Sequence, residues 1–114
     1  MKPERDPTGR DPHAAGAKLD AGKNRLGLVL HGFAGALAEV GKVGTYGANK
    51  YSPNGWRDVP NGMDRYLDAM YRHLFAMNDE THDPESGLPH MAHAAWNALA
   101  VLEFAMKGTE DGKA

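Results

Sequence analysis

The stretch Asp83-Pro-Glu-Ser-Gly-Leu-Pro-His-Met-Ala-His-Ala-Ala-Trp-Asn97 decides the fold, because it begins the clearest helix of the chain. Pro89 suits the first turn of a helix, where an N–H would have no intrahelical partner. At about 100° per residue, His90, His93 and Asn97 then share one narrow face. The stretch therefore predicts a helix that starts with ligand-type side chains and continues as a core element.

Two carboxylates precede this helix, which we predict to run to about Lys107. Asp83 and Glu85 lie in a loop punctuated by Pro and Gly, and this loop can fold back over the helix N-terminus. One interpretation is a metal or catalytic site. The other is structural, because His-x-x-His is common and carboxylates before a helix often only cap it or complement its dipole. Spacing alone leaves both open.

Composition limits the possible functions. A chain of 114 residues is near the usual size of one domain, and a net charge of −2 gives no reason to expect a partner such as polymeric nucleic acid. With no cysteine, a metal would be held by oxygen and imidazole ligands, which suit ions such as Mg²⁺, Mn²⁺ or Zn²⁺. No apolar run approaches the roughly 20 residues of a membrane span, and the first residues lack a signal peptide's apolar segment. We therefore expect a soluble, cytoplasmic protein with no membrane partner.

The first part of the chain has little to bury. Residues 1–15 are rich in charge, Pro and Gly, and we predict a disordered tail there. Residues 16–25 form a basic, glycine-containing segment that could wrap phosphates or be a solvated linker. Its basic side chains are Lys18, Lys23 and Arg25. The apolar run 26–30 could anchor this segment to the core or begin a first helix.

Two further helices are predicted, over residues 34–50 and 63–78. Glu39 lies beside an apolar stripe of the first, as either an edge residue or an inward ligand. His73 lies at the edge of the buried stripe of the second, as either a hydrogen-bonded core residue or a ligand. Trp56, in the loop between them, is either a core plug or a stacking platform for a ring.

No internal repeat is present, and β-branched and aromatic residues do not alternate as in strands. We therefore predict an all-α fold, a bundle of three to four helices within a domain of residues 16–107. Gly108 should stop the last helix, leaving a frayed tail at 108–114. Many Ala and Gly make a thin core, so we expect a homo-oligomer that completes the bundle between subunits.

Five motifs follow one another along residues 16–106. They are the basic segment 16–25, Tyr-Gly-Ala-Asn-Lys-Tyr at 46–51, Trp56, Asp68-Ala69 with Arg72-His73, and Asp83-Pro-Glu-Ser-Gly87 with His90-Met-Ala-His93. In this order they resemble the phage-type dATP/dGTP diphosphohydrolases, which are related to the MazG-like all-α nucleotide pyrophosphohydrolases. The ordered set is far more specific than any single motif.

The resemblance implies an enzyme that hydrolyses purine deoxynucleoside triphosphates to the monophosphate and pyrophosphate in phage or prophage nucleotide-pool remodelling, in the host cytoplasm. It implies a divalent metal ion, Mg²⁺ or Mn²⁺ and alternatively Co²⁺ or Zn²⁺. The metal would neutralise phosphate charge and lower the pKa of an attacking water. Basic side chains would stabilise the leaving pyrophosphate.

Mapped onto this sequence, the resemblance suggests three sets of residues. The candidate metal ligands are Glu39, His73, Asp83, Glu85, His90 and His93. The candidate catalytic residues are Glu39, His90 and His93. The candidate substrate contacts are Lys18, Lys23, Arg25, Lys50, Trp56, Arg72 and Asn97, with Tyr46 as an alternative to Trp56 for stacking on the base.

One departure from the MazG pattern opens alternatives. The usual Glu-x-x-Glu and Glu-x-x-Asp pairs are absent, since Glu39 is followed by Lys42 and the last helix offers His90-x-x-His93. Either histidines substitute, which favours a transition metal, or the loop carboxylates move in, or catalysis is lost. The last case corresponds to a non-catalytic phage accessory module that binds nucleotide or a partner protein. A further hypothesis is an HD-type hydrolase that uses the histidines as metal ligands and releases triphosphate or orthophosphate.

Overall fold

The protein is all-α, which confirms the predicted fold class. A computed structural model describes residues 3–107, so the predicted stop at Gly108 and the tail beyond it lie outside the described residues. The helices are α1 (Gly27–Leu30), α2 (Ala34–Lys50), α3 (Gly62–Ala76) and α4 (His90–Met106), with a 3₁₀ turn at Gly55–Asp58. Within residues 3–107 strand-like pairing is limited to one isolated bridge, between His82 and Pro89.

The chain divides into two compact units, Met1–Gly32 and Phe33–Ala114. In the first unit, Asp6 is buried and accepts hydrogen bonds from the hydroxyl of Thr8 at 2.5 Å and the backbone N–H of Lys18 at 2.8 Å. The Thr8 hydroxyl above all, and then the N–H of Lys18, hold the pKa of Asp6 at about 2. The division into a disordered tail at 1–15 and a domain from residue 16 stays a prediction.

The second unit contains α2, α3 and α4, whose bounds follow the sequence closely. Helix α2 has the predicted bounds, while α3 begins one residue earlier and ends two residues earlier than predicted. Asn61, before α3, has a left-handed backbone with φ of +56°. Asparagine tolerates that conformation better than most residues. Helix α4 packs mainly on α3 and also on α2.

The core of this unit surrounds α4 and is built from small and aromatic side chains. The buried apolar residues are Val43, Ala92, Ala94, Ala100 and Phe104. The ring of Trp56 meets those of Trp96 and Phe104 edge-on, with centroids 5.7 and 5.6 Å away. Trp56 therefore packs against the core while remaining half-buried. Gly62 allows the start of α3 to approach Phe104, because a Cβ there would lie 2.6 Å from the ring.

None of the helices within residues 3–107 combines the length and the apolar character needed to cross a membrane.

Candidate functional site

Three histidines meet where α3 ends and α4 begins. His73, in the last turn of α3, places its Nδ1 2.9 Å from Nδ1 of His90, the first residue of α4. His93, one turn further along α4, stacks on His73 with ring centroids 4.4 Å apart and planes at 6°. The structure thus brings His90 and His93 together, as their shared helix face predicts, and adds His73 from the neighbouring helix.

The loop between α3 and α4 carries Asp83 to these histidines. Gly87 takes a left-handed backbone with φ of +74°, which favours glycine and lets the loop turn back. The N–H of Asp83 donates to the carbonyl of Leu88 at 2.8 Å, and the N–H of His90 donates to that of Thr81 at 2.9 Å. As a result, an oxygen of Asp83 lies 4.0 Å from Nε2 of His93. The loop folds over the N-terminus of α4, as expected.

Two polar residues that the sequence analysis missed fix this arrangement. The N–H of Ser86 donates to the carboxylate of Asp83 at 2.9 Å, and its hydroxyl lies 2.7 Å from Nε2 of His93. The carboxylate of Glu80 lies 3.1 Å from Nε2 of His90. The spacing of Asp83 and Ser86 is typical of a side chain bonding to its own turn and could have indicated that contact. Glu80 and His90 are ten positions apart across a loop, and no helical period relates them.

The environment favours neutral imidazoles beside an ionised carboxylate. Burial is the main cause that lowers the pKa of His73 and that of His93 below the usual 6.5. Burial raises the pKa of Asp83, but the N–H and hydroxyl of Ser86 and the nearby imidazoles outweigh it, so the pKa lies below its ordinary value. Neutral His and ionised Asp are the forms that bind a cation.

Three side chains converge as a group that could hold a metal ion. His73, Asp83 and His90 each offer one ligand atom, and these atoms lie within 4.8 Å of one another. Two imidazole nitrogens and one carboxylate oxygen suit Mn²⁺, Co²⁺ or Zn²⁺ better than Mg²⁺, which prefers oxygen ligands. Glu39 lies outside this group and pairs with Lys42 at 2.8 Å. The complete set of predicted ligands stays a prediction.

Glu85 points to α2. Its carboxylate accepts a hydrogen bond from the hydroxyl of Tyr46 and pairs with Lys50 at 2.6 Å. The bonds to Lys50 and then Tyr46 lower the pKa of Glu85, and the carboxylate in turn raises the pKa of both partners. Glu85 therefore ties the loop to α2, and through Tyr46 it adjoins His93, whose ring meets the Tyr46 ring edge-on at 6.1 Å.

A cleft of about 930 Å³ opens beside these residues within the second unit. Its walls include the predicted site residues Lys50, Trp56, Arg72, His73, Asp83 and Asn97. Asn97 is buried and donates from its amide to the backbone carbonyl of His93 at 2.8 Å. The cleft thus combines cations, an aromatic ring and two members, His73 and Asp83, of the group that could hold a metal ion.

The remaining predicted substrate contacts belong to the first unit. Lys18, Lys23 and Arg25 are exposed, and Lys23 pairs with Glu4 at 3.1 Å. Their role toward a phosphate stays a prediction.

The chain contains a His-Asp dipeptide at His82 and Asp83. His82 is exposed, and its Nδ1 lies 2.9 Å from the hydroxyl of Thr81. Asp83 alone of the two belongs to the group that could hold a metal ion. This geometry gives no support to an HD-type pair of adjacent ligands.

Comparison with known proteins agrees with the motifs. The family model described as dATP/dGTP diphosphohydrolase, N-terminal, matches residues 13–113. A protein of Salmonella phage PMBT28 named dATP/dGTP diphosphohydrolase is 38% identical over 88 residues, which are 76% of this chain and 29% of that protein. The chain thus spans less than a third of the length of this curated relative. No solved structure matches. The resemblance drawn from the motifs is therefore confirmed. The chain matches the N-terminal region of the dATP/dGTP diphosphohydrolases and belongs to that family.

Proposed function

We propose that this chain hydrolyses purine deoxynucleoside triphosphates, dATP or dGTP, to the monophosphate and pyrophosphate with the help of a divalent cation. The observation that carries the proposal is that the cleft containing His73 and Asp83 of the metal-binding group also contains Lys50 and Arg72. A triphosphate needs such an arrangement, with a cation site beside fixed positive side chains. The name of the phage relative supports the class of substrate.

The cleft offers contacts for each part of a nucleotide. Arg72 is exposed and presents the planar fork of donors that suits phosphate oxygens. Lys50 stays charged beside Glu85, which raises its pKa. Trp56 provides an aromatic wall for the base, and Asn97 provides amide groups. A volume of 930 Å³ is at the upper end of the usual range for small-molecule sites.

We assign His73, Asp83 and His90 to a divalent cation, which when bound neutralises phosphate charge and acidifies a water. We assign His93 to the proton transfer. Its Nε2 is next to Asp83 and the hydroxyl of Ser86, and burial keeps the imidazole neutral near pH 7, so it can accept a proton from water. Glu39, paired with Lys42 outside the group, receives no step.

We further propose that the reaction takes place in the host cytoplasm as part of phage nucleotide-pool remodelling, and that the protein acts as a homo-oligomer. The phage source of the relative supports the setting. Four large apolar side chains that α4 leaves exposed support the oligomer. They are Met91, Leu99, Leu102 and Met106.

A second candidate function is a non-catalytic module that binds nucleotide or a partner protein. The specific observation in its favour is that the chain corresponds to 29% of its phage relative, so the reaction there could need residues beyond this region.

Product identification separates the two candidates. The protein is incubated with dATP, dGTP, dCTP and dTTP, each with Mg²⁺, Mn²⁺, Co²⁺ and Zn²⁺, and the products are resolved by anion-exchange chromatography. Monophosphate and pyrophosphate from a purine nucleotide support the proposal. No product with any cation, from folded protein, overturns it in favour of the binding module, and release of triphosphate or orthophosphate would assign a different hydrolase chemistry.

Asp83→Asn tests the role of the cation group in the same assay. The amide oxygen can still accept the N–H of Ser86, so the loop turn is kept while the charge is lost. Turnover should fall by more than about 100-fold, because the one carboxylate of the group loses its charge and even residues that only orient ligands cost 10–100-fold. Asp79→Asn is the control, since Asp79 is exposed and its carboxylate makes no hydrogen bond or ion pair within residues 3–107.

A further inference from the structure

We infer that Glu80 is a positioning residue, which fixes the tautomer of His90 so that the lone pair of Nδ1 faces His73. This inference deepens the proposed function and rests on its cation site. It concerns a residue outside the family motifs, in the segment that leaves α3.

The contact with Glu80 determines where the His90 ring carries its proton. A carboxylate oxygen of Glu80 lies 3.1 Å from Nε2 of His90. An ionised carboxylate only accepts hydrogen bonds, so Nε2 must carry the hydrogen. In a neutral ring the lone pair is then on Nδ1, the atom that lies 2.9 Å from Nδ1 of His73. The side chain of His90 is only 4% exposed, so water does not compete for this orientation.

Backbone hydrogen bonds hold Glu80 and His90 beside each other. The N–H of Glu80 donates to the carbonyl of Ala76 at 3.1 Å, which continues the end of α3. The N–H of His90 donates to the carbonyl of Thr81 at 2.9 Å, directly beside the side-chain contact. Backbone hydrogen bonds therefore hold both Glu80 and the residue that follows it, Thr81. The carboxylate of Glu80 reaches Nε2 of His90 and is itself 46% exposed.

The two histidines of the cation group therefore have unequal roles. With His90 fixed as the Nε2–H tautomer, the short contact between the Nδ1 atoms requires His73 to donate from its own Nδ1. His90 is set for a cation at Nδ1 in advance, whereas a neutral His73 that donates from Nδ1 keeps its lone pair on Nε2.

This arrangement has a consequence for affinity. A carboxylate that accepts from the outer N–H of a ligating histidine fixes the ring and raises its basicity, and its loss costs about 10–100-fold in metal affinity. A more basic imidazole favours Mn²⁺, Co²⁺ or Zn²⁺ over Mg²⁺. Glu80 therefore contributes to the choice of cation without touching it.

The tautomer can be read directly in the cation-free protein. Nitrogen chemical shifts of ¹⁵N-histidine-labelled protein, at a pH of about 8 where an imidazole is neutral, should show His90 as the Nε2–H form and His73 as the Nδ1–H form. In Glu80→Ala, His90 should lose this preference. Glu80→Gln should keep it, because the amide oxygen can still accept from Nε2–H. Asp79→Ala is the matched control and should leave both rings unchanged.

Cation binding gives the second readout. Titration with Co²⁺, followed by calorimetry and by visible absorption, should show a Kd raised about 10–100-fold in Glu80→Ala, a smaller change in Glu80→Gln and none in Asp79→Ala. An Nδ1–H tautomer of His90 in the unmodified protein overturns the inference, and so does an unchanged Kd in folded Glu80→Ala. Neither readout uses nucleotide, so a failure of the proposed hydrolysis is distinguishable from a failure of this inference.

Discussion

At the scale of the residue, the rings of His73 and His93 stack on each other within the second unit. Both side chains lose water on folding, and this burial lowers the pKa of each below 6.5. Protonating either ring would place a positive charge against the other, because their centroids are 4.4 Å apart. The folded protein therefore binds protons at this pair less readily than the unfolded chain does.

The first prediction follows from the sign of these shifts. The free energy of unfolding of the cation-free protein should be constant above about pH 6.5. It should fall as the pH drops from there through the lowered pKa values of His73 and His93. In that range the unfolded chain binds more protons than the folded protein does. Denaturant unfolding between about pH 8 and pH 5 measures this. His73→Gln should reduce the slope, whereas His13→Gln, at an exposed position of the first unit, should leave it as in the unmodified protein. Stability independent of pH across this range would contradict the burial of the pair.

At the scale of the element, the glycines of α2 and α3 serve different purposes. Gly62 lets α3 start against Phe104, where a Cβ would come within 2.6 Å of the ring. Gly41, in α2, has no atom within 4 Å of the position that a Cβ would take. The same substitution should therefore have opposite signs at the two positions.

The second prediction compares these two alanine variants. Gly62→Ala should destabilise the protein by about 1–3 kcal/mol, because the ring of Phe104 must move within a packed cluster. Gly41→Ala should stabilise it by up to about 1 kcal/mol, because alanine has the higher helix propensity. Thermal and denaturant unfolding of both variants measure the difference. Equal effects would show that Phe104 does not contact the start of α3.

The third prediction concerns the contact between the loop and α2. Glu85→Ala should lower the pKa of Tyr46 toward 10.0, because the hydrogen bond and charge of Glu85 hold it above that value. Ultraviolet absorbance of tyrosinate across an alkaline titration measures the shift, with Tyr46→Phe used to identify the signal. The loss of stability should be small, because the pair with Lys50 is exposed.

Glu39→Ala is the matched control for this experiment. It removes another exposed pair of α2, with Lys42, and should leave the titration of Tyr46 unchanged. An equal shift in both variants would mean that Glu85 does not bond Tyr46 in solution.

The sequence predicted the elements of the second unit better than the contacts between them. The period of α4 placed His90 and His93 on one face, and the apolar stripe of α3 placed His73 at its edge, because helical spacing is a local property. The contacts of Glu80 and Ser86 depend on how a loop returns, through Gly87 and the bonds to Thr81 and Leu88, and no periodic pattern encodes that path. Glu39 shows that a correct helix does not decide a side chain's contacts. Its helix was predicted correctly, but its carboxylate pairs with Lys42 instead of joining the group that could hold a metal ion.

At the scale of the whole molecule, α4 is apolar on nearly every side. One side faces α2 and α3, and the other leaves Met91, Leu99, Leu102 and Met106 between 52% and 73% exposed. These four residues fall within about 80° of arc around the helix. A helix that is apolar all round is normally buried, so this outer stripe of α4 needs a partner surface.

The fourth prediction is that a second copy of the chain covers the outer stripe of α4. The unmodified protein should form an oligomer whose population rises with concentration, and Leu102→Glu should shift it to the monomer by placing a charge in the contact. Sedimentation and light scattering measure both. Leu28→Glu is the control, as a similarly exposed leucine of the first unit. A monomer at every concentration would remove the expectation of a homo-oligomer.

The position of the cation donors in the chain also affects the order of folding. His73, Asp83 and His90 all belong to one helical hairpin, made of α3, α4 and the loop between them. They are therefore close to one another in the sequence. Contacts at such short separation form early and cost little chain entropy. Lys50 and Tyr46, in contrast, belong to α2 and join the site only when α2 packs against the hairpin. Under the proposed function, a cation could therefore bind the hairpin even in a partly unfolded state from which α2 has detached, whereas the proposed nucleotide contact of Lys50 requires α2 to be docked.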